Sequence, residues 1–68
     1  MTKTKYLIKL CNPVRSKELY DKIGPLGVNV TDLGGEVLIY GNTGAAIFAT
    51  VLKESKNHGE VFVYFEGG

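Results

Sequence analysis

The amino-acid sequence predicts an α+β fold, a two-layer βαββαβ sandwich in which a four-stranded antiparallel sheet carries two helices on one face. Three observations predict it. Apolar and polar residues alternate with a period of two in four short stretches, the signature of strands with one buried face. Two intervening stretches, Val14 to Ile23 and Ala45 to Ser55, carry apolar residues at helical spacing. Glycine, proline, asparagine or aspartate punctuates the junctions between them. Two crossover units joined by a hairpin give the expected spatial order 4-1-3-2. A chain of 68 residues holds one such domain, residues 1–68, with no room for a second lobe or linker.

The first strand is Tyr6-Leu7-Ile8-Lys9-Leu10, with Tyr6, Ile8 and Leu10 on one face and Lys5, Leu7 and Lys9 on the other. It stops at Cys11-Asn12-Pro13, where Asn12 is the expected helix cap and Pro13 the first helical residue, a position that needs no N–H. Leu19, Tyr20 and Ile23 form the apolar stripe of that helix, and Glu18 precedes Lys22 in the favourable i,i+4 order. Gly24-Pro25 ends it, with Gly24 expected in the left-handed cap conformation. Gly27 to Asp32 reads as a strand, Val28 and Val30 facing one way, Asn29 and Thr31 the other. Gly34-Gly35 supplies the positive φ angles of a hairpin into Glu36-Val37-Leu38-Ile39-Tyr40. Gly41-Asn42-Thr43-Gly44 then leads into the second helix, with Thr43 its expected cap and Ile47, Phe48, Val51 and Leu52 its buried face. Lys53 and Lys56 complement the negative end of that helix. Asn57-His58-Gly59 turns the chain into the last strand, Glu60 to Glu66, with Val61, Val63 and Phe65 expected inward and Phe62 and Tyr64 outward.

Composition narrows the function classes. The single cysteine cannot form an internal disulfide, so a reducing, cytoplasmic setting is the expectation. Eight basic residues against seven acidic ones leave a net charge of +1, and the basic residues are spread out, which argues against a nucleic-acid partner. The apolar runs are too short to span a bilayer, and the opening Met1-Thr2-Lys3-Thr4-Lys5 lacks the apolar stretch of a signal peptide. No membrane contact, cofactor or catalytic constellation is expected. A domain this small is marginally stable alone, so burial of further apolar surface by association would help it.

The strand alternation leaves a second face to the sheet. Across the 4-1-3-2 order that face carries Phe62 and Tyr64, then Lys5, Leu7 and Lys9, then Leu38 and Tyr40, then Asn29 and Thr31. Aromatic and leucine side chains on adjacent strands, rimmed by Lys5, Lys9, Glu36, Glu60 and Glu66, mark an interaction surface. The expected partner is a second copy, giving a homodimer, or another protein. Single strands of nucleic acid stacking on Phe62, Tyr64 and Tyr40 are a further reading, but Leu7 stands where an RNA-recognition strand would place an aromatic ring.

Resemblances add alternatives. The element order resembles the ferredoxin-like superfamily. Within it, Asn12-Pro13, the helix and Leu26-Gly27-Val28-Asn29-Val30 loosely resemble ACT-type regulatory domains, which commonly dimerise and bind a small effector. That likeness implies an effector near Asn12, Pro13, Gly27, Val28 and Asn29, although Val14 stands where those domains carry a glycine. Cys11 falls where heavy-metal-associated domains begin a Cys-x-x-Cys loop, but Val14 replaces the second cysteine, so no metal site is expected. Cys11, His58 and Asp32 lie at one end of the expected sheet and would suit an activated thiolate if they met. Gly41-Asn42-Thr43-Gly44 lacks the lysine of a phosphate-binding loop, and helix capping accounts for it. The terminal Gly67-Gly68 resembles the end of ubiquitin-like modifiers and sulfur carriers, whose fold places two strands before the first helix, where this chain has one.

Overall fold

The structure, a computed structural model, describes residues 2–66. The elements are β1 (Thr4–Cys11), α1 (Ser16–Ile23), β2 (Asn29–Asp32), β3 (Glu36–Thr43), α2 (Ala45–Lys56) and β4 (Glu60–Phe65), with a 3-10 turn over Gly24–Leu26. The sheet runs β2-β3-β1-β4, every pair antiparallel, with both helices on one face. This is the ferredoxin-like architecture, in the strand order expected.

The period-two alternation sets the two layers. Tyr6, Ile8 and Leu10 of β1 and Val37 and Ile39 of β3 are fully buried beneath Leu19 and Ile23 of α1 and Val51 of α2. Val28, Val30, Val61, Val63, Tyr20, Phe48 and Leu52 pack around this core, partly buried. Tyr6 is its polar anchor. Its ring meets Phe48 edge-on at 4.6 Å between centroids, and its hydroxyl shares a buried 2.8 Å hydrogen bond with that of Thr43. Gly41 pairs with Tyr6 across β1 and β3, and the ring lies over the bare glycine backbone.

Several boundaries differ from the sequence expectation, each for a tertiary reason. α1 begins at Ser16 rather than Pro13, and Asn12 caps nothing. Asn12 instead takes a left-handed conformation and donates its N–H to the Gly35 carbonyl at 3.2 Å, continuing the β1–β3 ladder past Cys11. The Val14 N–H goes to the His58 carbonyl at 2.7 Å, so the segment is bound to a distant turn instead of winding into a helix. At the far end of α1 it is Gly27, not Gly24, that is left-handed, closing the 3-10 turn. In the hairpin only Gly34 has a positive φ. β3 runs on through Gly41, Asn42 and Thr43, because these residues pair with Tyr6, Lys5 and Thr4 of β1. Gly44 therefore stands at the N-cap of α2, and the Thr43 hydroxyl is turned to Tyr6. Ile47 is exposed, since Val51 and Ser55 form the fully buried stripe of α2.

Candidate interaction face

The two ladders of β1 align the open face into rows. One row reads Asn29, Tyr40, Leu7, Tyr64 across β2, β3, β1 and β4, and the next reads Thr31, Leu38, Lys9, Phe62. A further row brings Glu36 and Glu60 to either side of Cys11. All the residues expected on this face, Lys5, Leu7, Lys9, Leu38, Tyr40, Phe62 and Tyr64, therefore lie on it. Leu7 and Leu38 are half-buried among their neighbours, whereas Tyr40 is 41% exposed, Phe62 42% and Tyr64 53%. The aromatic surface is continuous because Leu7 fills the position between Tyr40 and Tyr64.

Lys9, Glu36 and Glu66 are engaged locally. Lys9 meets Glu36 at 3.4 Å, and hydrogen bonding and attraction to that carboxylate raise the ammonium above its usual range. The Tyr40 hydroxyl reaches across β1 and donates to Glu66 Oε2 at 2.8 Å, and this carboxylate raises the phenol above its ordinary value. The Tyr40 side chain is thus tethered at its hydroxyl end. A ring fixed in this way loses less conformational freedom when covered.

The remaining candidates are dispersed. β1 and β2 run parallel, both being antiparallel to β3, so β1 ends where β2 also ends. Asn12 and Pro13 follow the end of β1, while Gly27, Val28 and Asn29 lie at the start of β2. Asn29 is level with Leu7, placing it about 17 Å along the strand direction from Asn12. One chain therefore does not gather these five residues around one ligand. Cys11, His58 and Asp32 each have other surroundings. Cys11 lies on the open face between the glutamates, and buried His58, 3% exposed, places Nδ1 2.9 Å from the Val14 carbonyl. From the sequence His58 reads as a turn residue or as a partner of the Cys11 thiol, and its bond to Val14 goes unseen because nothing local announces a partner 44 positions away.

The Asp32 carboxylate accepts hydrogen bonds from the Gly34 N–H and the Tyr20 hydroxyl, both at 2.8 Å. These two donors, the amide foremost, hold its pKa below the ordinary carboxylate value. A carboxyl whose pKa is depressed by folding adds stability above its unfolded pKa and loses that contribution as the pH falls through the folded value. Acid titration of unfolding is therefore expected to show Asp32→Asn with a shallower loss of stability than the parent below the unfolded carboxylate range. Superimposable acid limbs would contradict this.

Comparison of the chain with protein-family models, curated proteins and solved structures returns no match. Among the described residues, no group of His, Cys, Asp and Glu is placed to hold a metal ion, and no helix is long and apolar enough to cross a membrane. The Gly67-Gly68 terminus lies outside the described residues.

Proposed function

We propose that this chain is a small non-catalytic interaction module that self-associates or docks a protein partner through the open face of its sheet. The observation that carries this reading is the row Tyr40, Leu7, Tyr64 beside the row Leu38, Lys9, Phe62, a surface across three adjacent strands with exposed aromatics on β3 and β4 and half-buried leucines between and beside them. Contiguous apolar surface of this kind marks association sites in small soluble domains, and aromatic side chains dominate their energetics. The charges suit a protein surface better than a phosphate backbone. Lys9 is already neutralised by Glu36, and Glu60 and Glu66 add negative charge along β4 and just beyond it.

Tyr40→Glu and Phe62→Glu test the proposal. Both side chains are exposed, so the variants are expected to keep the parent circular dichroism while weakening association about tenfold or more. Sedimentation reads self-association. Co-purification from the native cell, followed by identification of what stays bound to parent and variants, reads a protein partner. A mass and a set of bound proteins unchanged in both variants would sink the proposal.

A further inference from the structure

The two edges of the sheet are unlike. β2 is four residues long, polar at Asn29, Thr31 and Asp32, and its end is tied to α1 through the Tyr20 hydroxyl on Asp32. β4 is six residues long, Glu60–Phe65, and contains no proline or lysine. Short strands, lysine and proline are among the devices that keep edges from pairing, and β4 has none of these three, its one charged residue being Glu60 at its start.

The hydrogen-bond phase of β4 follows from its ladder. The Glu66 N–H donates to the Lys5 carbonyl at 3.1 Å. In an antiparallel pair hydrogen-bonded positions alternate, so Glu60, Phe62 and Tyr64 direct their backbone groups at β1. Val61, Val63 and Phe65 then direct N–H and C=O outward along the free edge. Those groups are set up to form one further antiparallel ladder.

Side chains indicate what lies alongside. Exposed apolar groups are not confined to the open face. Phe65, on the helix face, was expected in the core but is 62% exposed, and among the rings it touches only Phe48, at 5.6 Å between centroids. With Phe62 and Tyr64 exposed on the other side, β4 is under-covered on both faces, which a neighbour beside the strand remedies and a neighbour stacked on one face does not. The sequence from Glu60 to Glu66, Glu-Val-Phe-Val-Tyr-Phe-Glu, is near-palindromic in residue class about Val63. Antiparallel pairing of two copies about that residue sets Phe62 against the second copy's Tyr64 and Val61 against its Phe65. Aromatic pairs and aromatic with β-branched pairs are the favourable cross-strand combinations.

We propose that β4 pairs antiparallel with β4 of a second copy, across a two-fold axis through Val63, so that the two sheets run on as one and the two open faces become a single surface. This contact shares Phe62 and Tyr64 with the open face but does not need that face to be covered, so Phe62→Glu would weaken both contacts, while Phe65→Lys and Tyr40→Glu tell them apart. The register carries one cost, Glu60 opposite the second copy's Glu66, which Lys5 in the adjacent strand only partly offsets. Dimerisation is therefore expected to tighten as salt is raised.

Disulfide trapping in a Cys11→Ser background tests the register. An equimolar mixture of Phe62→Cys and Tyr64→Cys chains is expected to form a covalent dimer at least about tenfold faster than either alone. In this pairing the two positions are directly opposed, at about 4.5 Å between Cα atoms, whereas like positions are too far apart to bridge. Sedimentation separates the two contacts. Phe65→Lys, on the helix face, is expected to abolish edge pairing in a folded chain, while Tyr40→Glu, on β3, leaves it intact. A parent that sediments as a monomer at millimolar concentration, equal trapping in the single-variant samples, or a Phe65→Lys chain with unchanged mass would each overturn the edge proposal. None of these results bears on a protein partner at the open face.

Discussion

Replacing Gly41 by alanine is expected to lower stability by about 2–3 kcal/mol and the thermal midpoint by roughly 10–20 °C, against an intuition that points the other way. Glycine inside a strand is unfavourable, and alanine at an open position would gain about 0.5–1 kcal/mol. Here a Cβ would fall 2.7 Å from Cε2 of the Tyr6 ring, inside contact distance. The ring cannot slide away cheaply. It is fully buried, its hydroxyl is bonded to Thr43 at 2.8 Å, and Phe48 packs on it. Overpacking costs about 1–3 kcal/mol, and breaking the hydroxyl pair leaves a buried polar group at a further cost of about 1–3 kcal/mol. The sum outweighs the backbone gain. Thermal unfolding followed by circular dichroism reads the effect. A double variant with Tyr6→Leu should be less destabilised than the two single effects added, because the smaller side chain removes the clash. A midpoint unchanged by Gly41→Ala would show that the ring does not lie over the glycine as described.

The same residues show what a sequence discloses and what it withholds. Alternation with period two is a local property, so the inward set Tyr6, Ile8, Leu10, Val37 and Ile39 and the outward set Leu7, Leu38, Tyr40, Phe62 and Tyr64 are legible without coordinates. Gly41-Asn42-Thr43-Gly44 reads as a loop because its residue types favour turns. Gly41, Asn42 and Thr43 are strand only because β1 lies alongside, with Tyr6 needing a position lacking a side chain and a hydroxyl within reach. Asn12-Pro13 likewise carries a sound local cap signal, overridden by hydrogen bonds to Gly35 and His58. Phe65 is the instructive residue of the candidate surface. Its parity assigns it to the helix face correctly, but parity cannot say that the face is thinly covered at the edge of β4.

His58→Ala is expected to cost about 2–3 kcal/mol, through loss of a hydrogen bond worth about 0.5–1.5 kcal/mol together with the packing of a buried ring. The imidazole closes a reciprocal clamp between two distant turns. Val14 donates its N–H to the His58 carbonyl at 2.7 Å, and the His58 ring returns a bond to the Val14 carbonyl at 2.9 Å. Because a carbonyl only accepts, Nδ1 carries the proton in this pair. The clamp holds a segment whose non-glycine residues Asn12 and Arg15 both occupy the left-handed region, a conformation that persists when surrounding bonds over-determine it. A single core in a domain of this size supplies only about 3–5 kcal/mol, so the loss would remove roughly half of the total or more. The expected result is a lowered unfolding midpoint together with faster amide exchange at Val14, whose donor bond depends on the turn staying in place. Exchange at Ile8 and Ile39 should follow global unfolding alone. If Val14 exchanged no faster relative to those core amides than in the parent, the ring would be a packing element only, and the loop before α1 would be held by its own backbone.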